Sequence, residues 1–402
     1  MSPRRVLAVL AASELCGMAP WFSASAVAPA LSRVWRLDTA GAAWLTISVQ
    51  LGFVAGALVS ALLTLSDRWS ARRLVAGCAW LAGLATLGVA FAPGPGAGIA
   101  LRMLTGAALA GVYPPGMKIV AGWYREGRGL AIGVLVGALT LGSALPHLVR
   151  WAVPAEYWRP VLDIAAAAAL LGGLLVLLVP HDGPFATPAP PFTWRAAPSI
   201  LADRAVSLAN LGYLGHMWEL YAMWTWLAAF VAASEVARTG GDSTGSGAPA
   251  FITFAVVGSG ALGCWLGGKY ADRWGRTLIT SVAMTVSGAC ALAVGLVFGR
   301  PLPVLVPLLL VWGVTVVADS AQFSAAVSEL APRELVGTAL TLQTSLGFLL
   351  TCLTIYLLPW VAARMGWRWS MSLLALGPAC GVWAMLVLRR RPEAASLAGG
   401  RG

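Results

Sequence analysis

Few ionisable side chains lie inside the apolar runs of this chain, and two of them recur at a fixed spacing. Glu14 and Glu219 are 205 residues apart, and each is followed seven residues later by a tryptophan, Trp21 or Trp226. Positions seven apart on a helix lie on nearly the same face. Each pair therefore predicts a helix face that forms one wall of a cavity. This wall has one carboxyl group that can take up a proton and one ring on which a solute can stack.

His216 adds a second titratable group to one of these walls. It precedes Glu219 by three residues, so the two side chains are neighbours if this segment is helical. A His–Glu pair shielded from water can relay a proton near neutral pH, which makes Glu219 the predicted coupling acid. The alternative is that His216 only forms a hydrogen bond with a neighbouring helix.

Five more side chains in apolar runs are candidates for a polar pathway. Asp319 and Gln322 share one run, and Tyr113 directly precedes two prolines, which leave helix carbonyls free to line a cavity. Arg102 and Lys118 are basic and would bind an anionic group if they face that cavity. The alternative for both residues is extension to the membrane surface, and Lys118 can instead pair with an acid.

The elements that must position these residues are membrane-spanning helices. The chain is 59% hydrophobic and only 11% charged, with a mean hydropathy of +0.79. A run of about 20 apolar residues crosses the hydrocarbon core of a bilayer as a helix. Twelve such runs predict an all-α integral membrane protein with twelve transmembrane helices, at 6–30, 40–64, 73–92, 98–122, 128–150, 160–180, 206–232, 249–268, 277–299, 302–328, 336–360 and 368–388.

The longest interruption divides these runs into two sets of six. Residues 181–205 are rich in proline, and proline removes a backbone donor that lipid cannot replace, so this segment is predicted as a linker. The predicted domains are a six-helix bundle at 1–180, the linker at 181–205, and a second six-helix bundle with a short basic tail at 206–402.

The distribution of basic residues sets the predicted orientation. Segments on the same side as the N-terminus hold 17 of the 27 basic residues, and segments on the other side hold eight. Because basic loops stay in the cytoplasm, both termini are expected there, in a multi-pass protein of the cell membrane. Six spans in each half give the two halves the same direction.

A loop motif also repeats with the 205-residue spacing. Asp67-Arg68 returns as Asp272-Arg273, in each case just after the second span of its half. Arg72 and Arg276 lie a few residues further on. These charges can cap helix ends or pair with acids across the two halves, or they can simply determine topology.

These residues resemble the major facilitator superfamily over the whole chain. Gly268, Asp272, Arg273, Gly275 and Arg276 match its Gly-x-x-x-Asp-Arg-x-Gly-Arg loop, and the copy at Asp67 is degraded because Ser70 replaces the glycine. Arg102 and Gly106 resemble its Arg-x-x-x-Gly element in the fourth span. The resemblance implies two bundles around a central cavity lined by the first helix of each half. It also implies alternating access, with the loop motifs holding the cytoplasmic side closed, and a monomer.

The predicted function is secondary active transport of a small organic solute, anionic if Arg102 and Lys118 face the cavity, coupled to protons. The alternative is a proton-coupled efflux antiporter for drugs or hydrophobic compounds. Ala138 stands where such antiporters have proline after glycine, which favours uptake. The expected partners are the solute, protons and the lipid bilayer.

Other classes of function are not expected. Basic residues do not cluster on one tail, which argues against nucleic acid. Six single cysteines without ligand spacing argue against a metal site. The absence of a phosphate-binding glycine loop argues against nucleotide-driven pumping, and no nucleophile–base pair points to an enzyme. No cofactor is expected.

Overall fold

The computed structural model describes residues 1–125, 127–154, 156–186, 192–241 and 247–402, except for the side chains of Ser66 and Asp67. Within these ranges every regular element is a helix. Eleven of the helical segments are long and apolar enough to cross a membrane. The first span completes a set of twelve and is absent from that count because it is broken into short helices.

The first half contains spans one to six. The first span comprises three helices, the second, third, fifth and sixth spans one helix each, and the fourth span two. In chain order these are α1 (Pro3–Met18), α2 (Ser23–Ala26), α3 (Ala28–Trp35), α4 (Thr39–Leu62), the short α5 (Leu65–Arg68) in a loop, α6 (Ala71–Ala90), α7 (Pro95–Leu109), α8 (Tyr113–Trp123), α9 (Arg128–Ala152) and α10 (Arg159–Val176).

The second half contains spans seven to twelve. A 3-10 turn (Trp194–Ala196) and α11 (Ala197–Ala202) precede it. The spans are α12 (Arg204–Thr239), α13 (Ala248–Trp274), α14 (Arg276–Val297), α15 (Leu302–Ala318) with α16 (Ser320–Leu330), α17 (Val336–Met365), and α18 (Trp367–Ser370) with the 3-10 segment Met371–Ala375 and α19 (Leu376–Arg389). Short 3-10 segments at Arg333–Leu335 and Pro392–Gly399 flank the last two spans. The two six-helix bundles form one twelve-helix architecture, and the domain limits at 180 and 205 stay a prediction.

Polar caps fix where several helices begin. Asp38 accepts a hydrogen bond from the Gly41 amide at 2.7 Å, and Asp203 accepts one from the Val206 amide at 2.9 Å. These bonds satisfy amides that have no partner inside the helix. The second and seventh spans therefore start at Thr39 and Arg204, one and two residues before the predicted starts of their apolar runs.

Three spans are broken where the sequence analysis predicts continuous helices. The first span is interrupted at residues 19–22, where Pro20 lacks the amide donor that a continuing helix needs. The fourth is interrupted at 110–112, just before Pro114 and Pro115, and the tenth at Asp319. Each break exposes backbone polar groups at mid-membrane depth, which is tolerated only inside protein or beside a cavity.

The two halves contact each other mainly through spans five and eight and through spans two and eleven. Glycines bring the fifth and eighth spans together: a Cβ on Gly133 would lie 2.8 Å from the carbonyl oxygen of Cys264, and one on Gly268 would lie 2.8 Å from that of Gly129. Small residues allow such close helix packing in membranes. Large apolar side chains such as Leu84 and Leu292 are exposed on the outer faces of the spans, as a lipid-facing surface requires.

Candidate functional site

Six aromatic rings form a continuous layer where the halves meet at mid-height. We call this set the aromatic layer; it comprises Trp21, Phe22 and Phe53 from the first half and Tyr221, Trp224 and Phe348 from the second. The Phe53 and Phe348 ring centroids are 4.4 Å apart, and Trp21 lies 5.6 Å from both Tyr221 and Phe348. All six rings are buried, so the layer closes the centre of the molecule.

Glu219 lies on the termini side of this layer and is held inside the second half. The Ser287 hydroxyl donates to Glu219 Oε2 at 2.6 Å, and the Trp312 indole donates to Oε1 at 2.7 Å. The two donors come from the ninth and tenth spans, and the residue is 1% exposed. Both carboxyl oxygens thus have a fixed partner, and both donors suit a carboxylate.

Glu14 occupies the corresponding position in the first half in very different surroundings. It is 2% exposed, and its Oε1 atom has no hydrogen-bond partner among the described residues. Its Oε2 atom lies against Gly116 of the fourth span, where a Cβ would be only 3.0 Å away. At the positions equivalent to Ser287 and Trp312 the chain has Ala82 and Ala107, which offer no side-chain donor.

His216 pairs with Asp319 rather than with Glu219. The distance from His216 Nδ1 to Asp319 Oδ1 is 2.9 Å, and both side chains are 1% exposed. Asp319 lies at the break in the tenth span, so this contact joins the seventh span to the hinge of the tenth. His216 Nε2 has no partner within the described ranges, so this ring nitrogen is available to a ligand or water.

Gln322 belongs to a polar cluster on the termini side of the second half. Its Oε1 accepts from Arg276 Nη1 at 2.7 Å. Arg276 also donates to both carboxyl oxygens of Glu329, at 2.7 and 2.6 Å, and lies 3.6 Å from Asp272. The backbone amide of Ala398 donates to Glu329 as well. Since all these partners lie in the second half, Arg276 joins loop, tenth span and tail rather than the two halves.

Arg102 is completely buried and donates hydrogen bonds at the break in the first span. Its Nη1 donates to the carbonyl oxygen of Pro20 at 2.7 Å, its Nη2 donates to that of Trp21, and its Nε donates to that of Leu45 at 3.2 Å. A second Nη1 contact reaches the Ser23 hydroxyl at 3.3 Å. The guanidinium thus donates to two carbonyls at the break and to one of the second span, instead of extending to the membrane surface or facing an open cavity.

The remaining predicted pathway residues have separate positions. Trp226 donates to the carbonyl oxygen of Ile355 at 2.9 Å and so packs within the second half, unlike its counterpart Trp21. Tyr113 and Lys118 lie on α8, partly exposed, on the termini side of the aromatic layer. The structure therefore brings Glu14, Tyr113 and the His216–Asp319 pair to the termini side of the layer, and Trp21 into it.

The second-half loop motif contacts the first half through Asp272. A Cβ on Gly129 would lie 2.8 Å from Asp272 Oδ2, so this carboxylate sits at the first turn of the fifth span. A negative charge at a helix N-terminus is stabilising. Gly275 has a φ of +90°, which only glycine adopts without strain, and it forms the tight turn into the ninth span. Arg273 is exposed.

The first-half motif is built differently. Arg72 donates to the carbonyl oxygen of Val179 at 2.8 Å, and its own amide donates to Asp182. Arg68 is exposed at the end of α5, and the side chain of Asp67 lies outside the described part of the chain. Ser70 has a φ of −57°, so this turn has no need of the glycine that the second-half loop requires.

The sequence profile of the Major Facilitator Superfamily matches residues 10–355. The chain belongs to this superfamily. Among superfamily structures, the proton:xylose symporter XylE bound to 6-bromo-6-deoxy-D-glucose superposes with a TM-score of 0.71 at 16% identity, over 96% of this chain and 94% of that one. At this identity the likeness concerns the fold.

Two curated transporters are more similar to this chain in sequence, over shorter stretches. The 4-hydroxybenzoate transporter PcaK of Pseudomonas aeruginosa is 29% identical over 155 residues, which are 38% of this chain and 33% of PcaK. The 3-(3-hydroxy-phenyl)propionate transporter of Escherichia coli is 27% identical over 212 residues, which are 51% of each chain. The matches thus span between a third and half of these relatives' length.

Several residues of the site escaped the sequence analysis. Ser287 and Trp312, which hold Glu219, are 68 and 93 residues away from it along the chain. Comparing the halves at the 205-residue offset was the available signal, because it pairs these two residues with alanines. The aromatic layer beyond Trp21 gave no such signal, since its other rings have no aromatic counterparts at that offset.

Proposed function

We propose that this chain is a proton-coupled transporter that takes up small aromatic acids by alternating access. The proposed substrate class is taken from the two curated relatives, whose named substrates are carboxylic acids with a benzene ring. Aromatic rings favour offset-stacked or edge-to-face partners, which the aromatic layer supplies from both halves. The central position of the layer makes it the place where such a solute passes between the halves.

The carboxyl group of Glu14, whose Oε1 atom has no partner among the described residues, carries the proton-coupling part of the proposal. A buried ionised carboxylate without partners is costly in a membrane, so Glu14 is stable there when protonated and releases its proton when the site is hydrated. Glu219 has two donors that favour its ionised form, and Glu14 has no such donor among the described residues. We therefore assign the coupling proton to Glu14, whereas the sequence pattern alone favours Glu219.

The aromatic layer also supports the alternating-access part. Its contacts join the halves, so the halves must separate there for a solute to reach the opposite side. On the termini side of the layer, Tyr113, Met117 and Lys118 are partly exposed. In the proposed cycle the layer is closed while the solute exchanges with the termini side, and it opens after the termini side closes.

The orientation follows from the basic residues. We place both termini in the cytoplasm, because segments on their side carry 17 basic residues against eight on the other. Uptake then moves the acid and the proton from the outside to the termini side. The proposal treats the working unit as a monomer in the cell membrane.

The test is transport into proteoliposomes with an imposed pH gradient and labelled 4-hydroxybenzoate, the substrate named for one relative. Wild-type protein is expected to accumulate the acid on the alkaline side, and a protonophore should remove this accumulation. We expect Glu14→Gln to lower gradient-driven accumulation at least about 10-fold while exchange at equal pH continues, because each protonation step is lost but the alternating motion is kept. Glu219→Gln, the matched variant of the second half, should still accumulate the acid.

Three results would contradict parts of the proposal. Wild-type accumulation in the Glu14→Gln variant would remove Glu14 as the proton site. Loss of accumulation in Glu219→Gln alone would restore the assignment to Glu219. Extrusion of hydrophobic cations, with no movement of aromatic acids, would establish the efflux antiporter instead.

A further inference from the structure

Gln50 is a completely buried amide with no partner. Neither its Oε1 nor its Nε2 atom has a hydrogen-bond partner among the described residues. Buried polar groups in proteins are almost always paired, because losing hydration without compensation costs free energy. An amide that leaves both atoms unpaired points to a partner that binds at this position.

Gln50 lies on the face of the second span that meets the first span and the other half. It is one helical turn from Thr46, whose hydroxyl is 2.6 Å from that of Ser25 in the first span. It is also one turn from Phe53, whose ring contacts Trp21 and Phe348. The amide therefore borders the aromatic layer, on the side away from the termini.

Two indole groups in the layer lack acceptors as well. The Nε1 atoms of Trp21 and Trp224 are buried and have no partner within the described ranges. By contrast, the buried indoles of Trp226 and Trp312 donate to Ile355 and Glu219. The aromatic layer thus offers ring surfaces for stacking and two unpaired indole donors. The Gln50 amide at its border can both donate and accept.

We infer that Gln50 is the residue that selects aromatic acids carrying a hydroxyl group on the ring. This inference rests on the proposed function and adds a specificity residue to it. A ring hydroxyl donates one hydrogen bond and accepts others, which matches the two halves of the amide. The unpaired indole donors of Trp21 and Trp224 suit acceptor oxygens of the same solute, such as its carboxylate.

The named substrates of the two relatives share this chemistry. Both 4-hydroxybenzoate and 3-(3-hydroxy-phenyl)propionate have a ring hydroxyl and a carboxylate. A solute ring entering the layer replaces ring contacts between the halves, and its hydroxyl satisfies the Gln50 amide. An acid without the hydroxyl leaves this amide unpaired, so a site built in this way discriminates against it.

The experiment is equilibrium binding of 4-hydroxybenzoate and of benzoate to the purified full-length protein, without a pH gradient. We expect wild-type protein to bind the hydroxylated acid about 10- to 100-fold more tightly, since benzoate leaves a buried polar group unpaired. Gln50→Met, which keeps the shape of the side chain, should bind the two acids within about 3-fold of each other, mainly by losing affinity for 4-hydroxybenzoate. Gln50→Leu is the second variant, in case the first is poorly folded.

Gln343→Met is the matched control. Gln343 is also buried with both amide atoms unpaired, but it lies five residues from Phe348 toward the termini side, or about 7.5 Å along the eleventh span. This variant should keep the wild-type discrimination. If wild-type protein binds 4-hydroxybenzoate and benzoate equally well, or if both Gln50 variants keep the wild-type ratio of the two affinities, the role of Gln50 is overturned and the proposed substrate class stands. Failure of wild-type protein to bind either acid overturns the proposed substrate class together with it.

Discussion

The two halves have a glutamate at equivalent positions, but its hydrogen-bond partners differ between them. Glu219 has a hydroxyl donor and an indole donor. Glu14 has alanines at the equivalent positions, and one of its oxygens has no partner in the part of the chain that the structure describes. A repeated fold therefore does not imply a repeated site. One copy has the features of a structural carboxylate, and the other has those of a group that changes its protonation state.

The helices that carry these glutamates differ in the same sense. The seventh span is one continuous helix from Arg204 to Thr239, but the first is broken at Pro20, where the second half has Thr225. Arg102 satisfies the carbonyls of that break, and its counterpart is Pro307. The first span thus has a break and a residue that stabilises it, whereas the seventh span has neither.

The largest expected effect comes from removing the guanidinium that stabilises this break. In Arg102→Ala the carbonyls of Pro20, Trp21 and Leu45 each lose the guanidinium, and that of Pro20 keeps the Ser23 amide and hydroxyl. A buried carbonyl that is left without any partner costs about 1–3 kcal/mol. We expect little folded protein, measured as the monodisperse fraction after extraction and size-exclusion chromatography. Pro307→Ala, at the equivalent position, should be recovered like wild type.

Arg102→Lys separates charge from geometry. An ammonium keeps the charge but cannot span the three carbonyls as the planar guanidinium does, so we expect intermediate recovery. A yield and melting temperature of Arg102→Ala equal to those of wild type would show that the break does not depend on this residue.

The second prediction exchanges the surroundings of the two glutamates. Ser287→Ala removes one donor from Glu219 and should lower the free energy of unfolding by about 1–3 kcal/mol, because a buried acceptor loses its partner. The pH dependence of transport should not change. Thermal unfolding in detergent and initial rates at several pH values measure the two effects.

The reciprocal variant is Ala82→Ser, which places a hydroxyl in the first half at the position equivalent to Ser287, where it is expected to donate to Glu14. A hydrogen bond donated to the carboxylate favours its ionised form. The pH of half-maximal gradient-driven transport should therefore move to lower values. A changed pH profile in Ser287→Ala, with none in Ala82→Ser, would reverse the roles that we assign to the two glutamates.

A third prediction concerns the segment that follows the first bundle. After the sixth span, Asp182 accepts from the amides of Ala71 and Arg72 at 2.9 and 3.2 Å and so caps the third span. Loss of such a cap costs about 0.5–2 kcal/mol. Asp182→Ala should lower the melting temperature accordingly, and Asp182→Asn should recover most of the loss. An unchanged melting temperature in Asp182→Ala would mean that the cap adds nothing to stability.

The sequence predicted the elements well and the partners poorly, for a physical reason. Twelve apolar runs predict twelve spans because lipid demands internally bonded backbone over a fixed length. The same argument cannot say which side chains meet, as the pairing of His216 with Asp319 instead of Glu219 shows. Partners on different spans depend on helix rotation and packing, which the length of a run does not encode. The break in the first span was accessible in principle, since Pro20 lies inside the run.

The smallest expected effect tests the one loop motif that reaches across the halves. Asp272 sits at the first turn of the fifth span, and a charge at a helix N-terminus contributes about 0.3–1 kcal/mol. Asp272→Asn should therefore change the rate of exchange transport by about 2- to 5-fold, because it weakens a contact between the two halves on the termini side. Gly129→Ala adds a methyl group 2.8 Å from Asp272 Oδ2 and should change the rate in the same direction.

Arg273→Gln, a substitution at an exposed residue of the same loop, should have no effect. If Asp272→Asn folds normally and transports at the wild-type rate, the motif has no gating role, and the halves are held together on this side by helix packing at Gly133 and Gly268 alone.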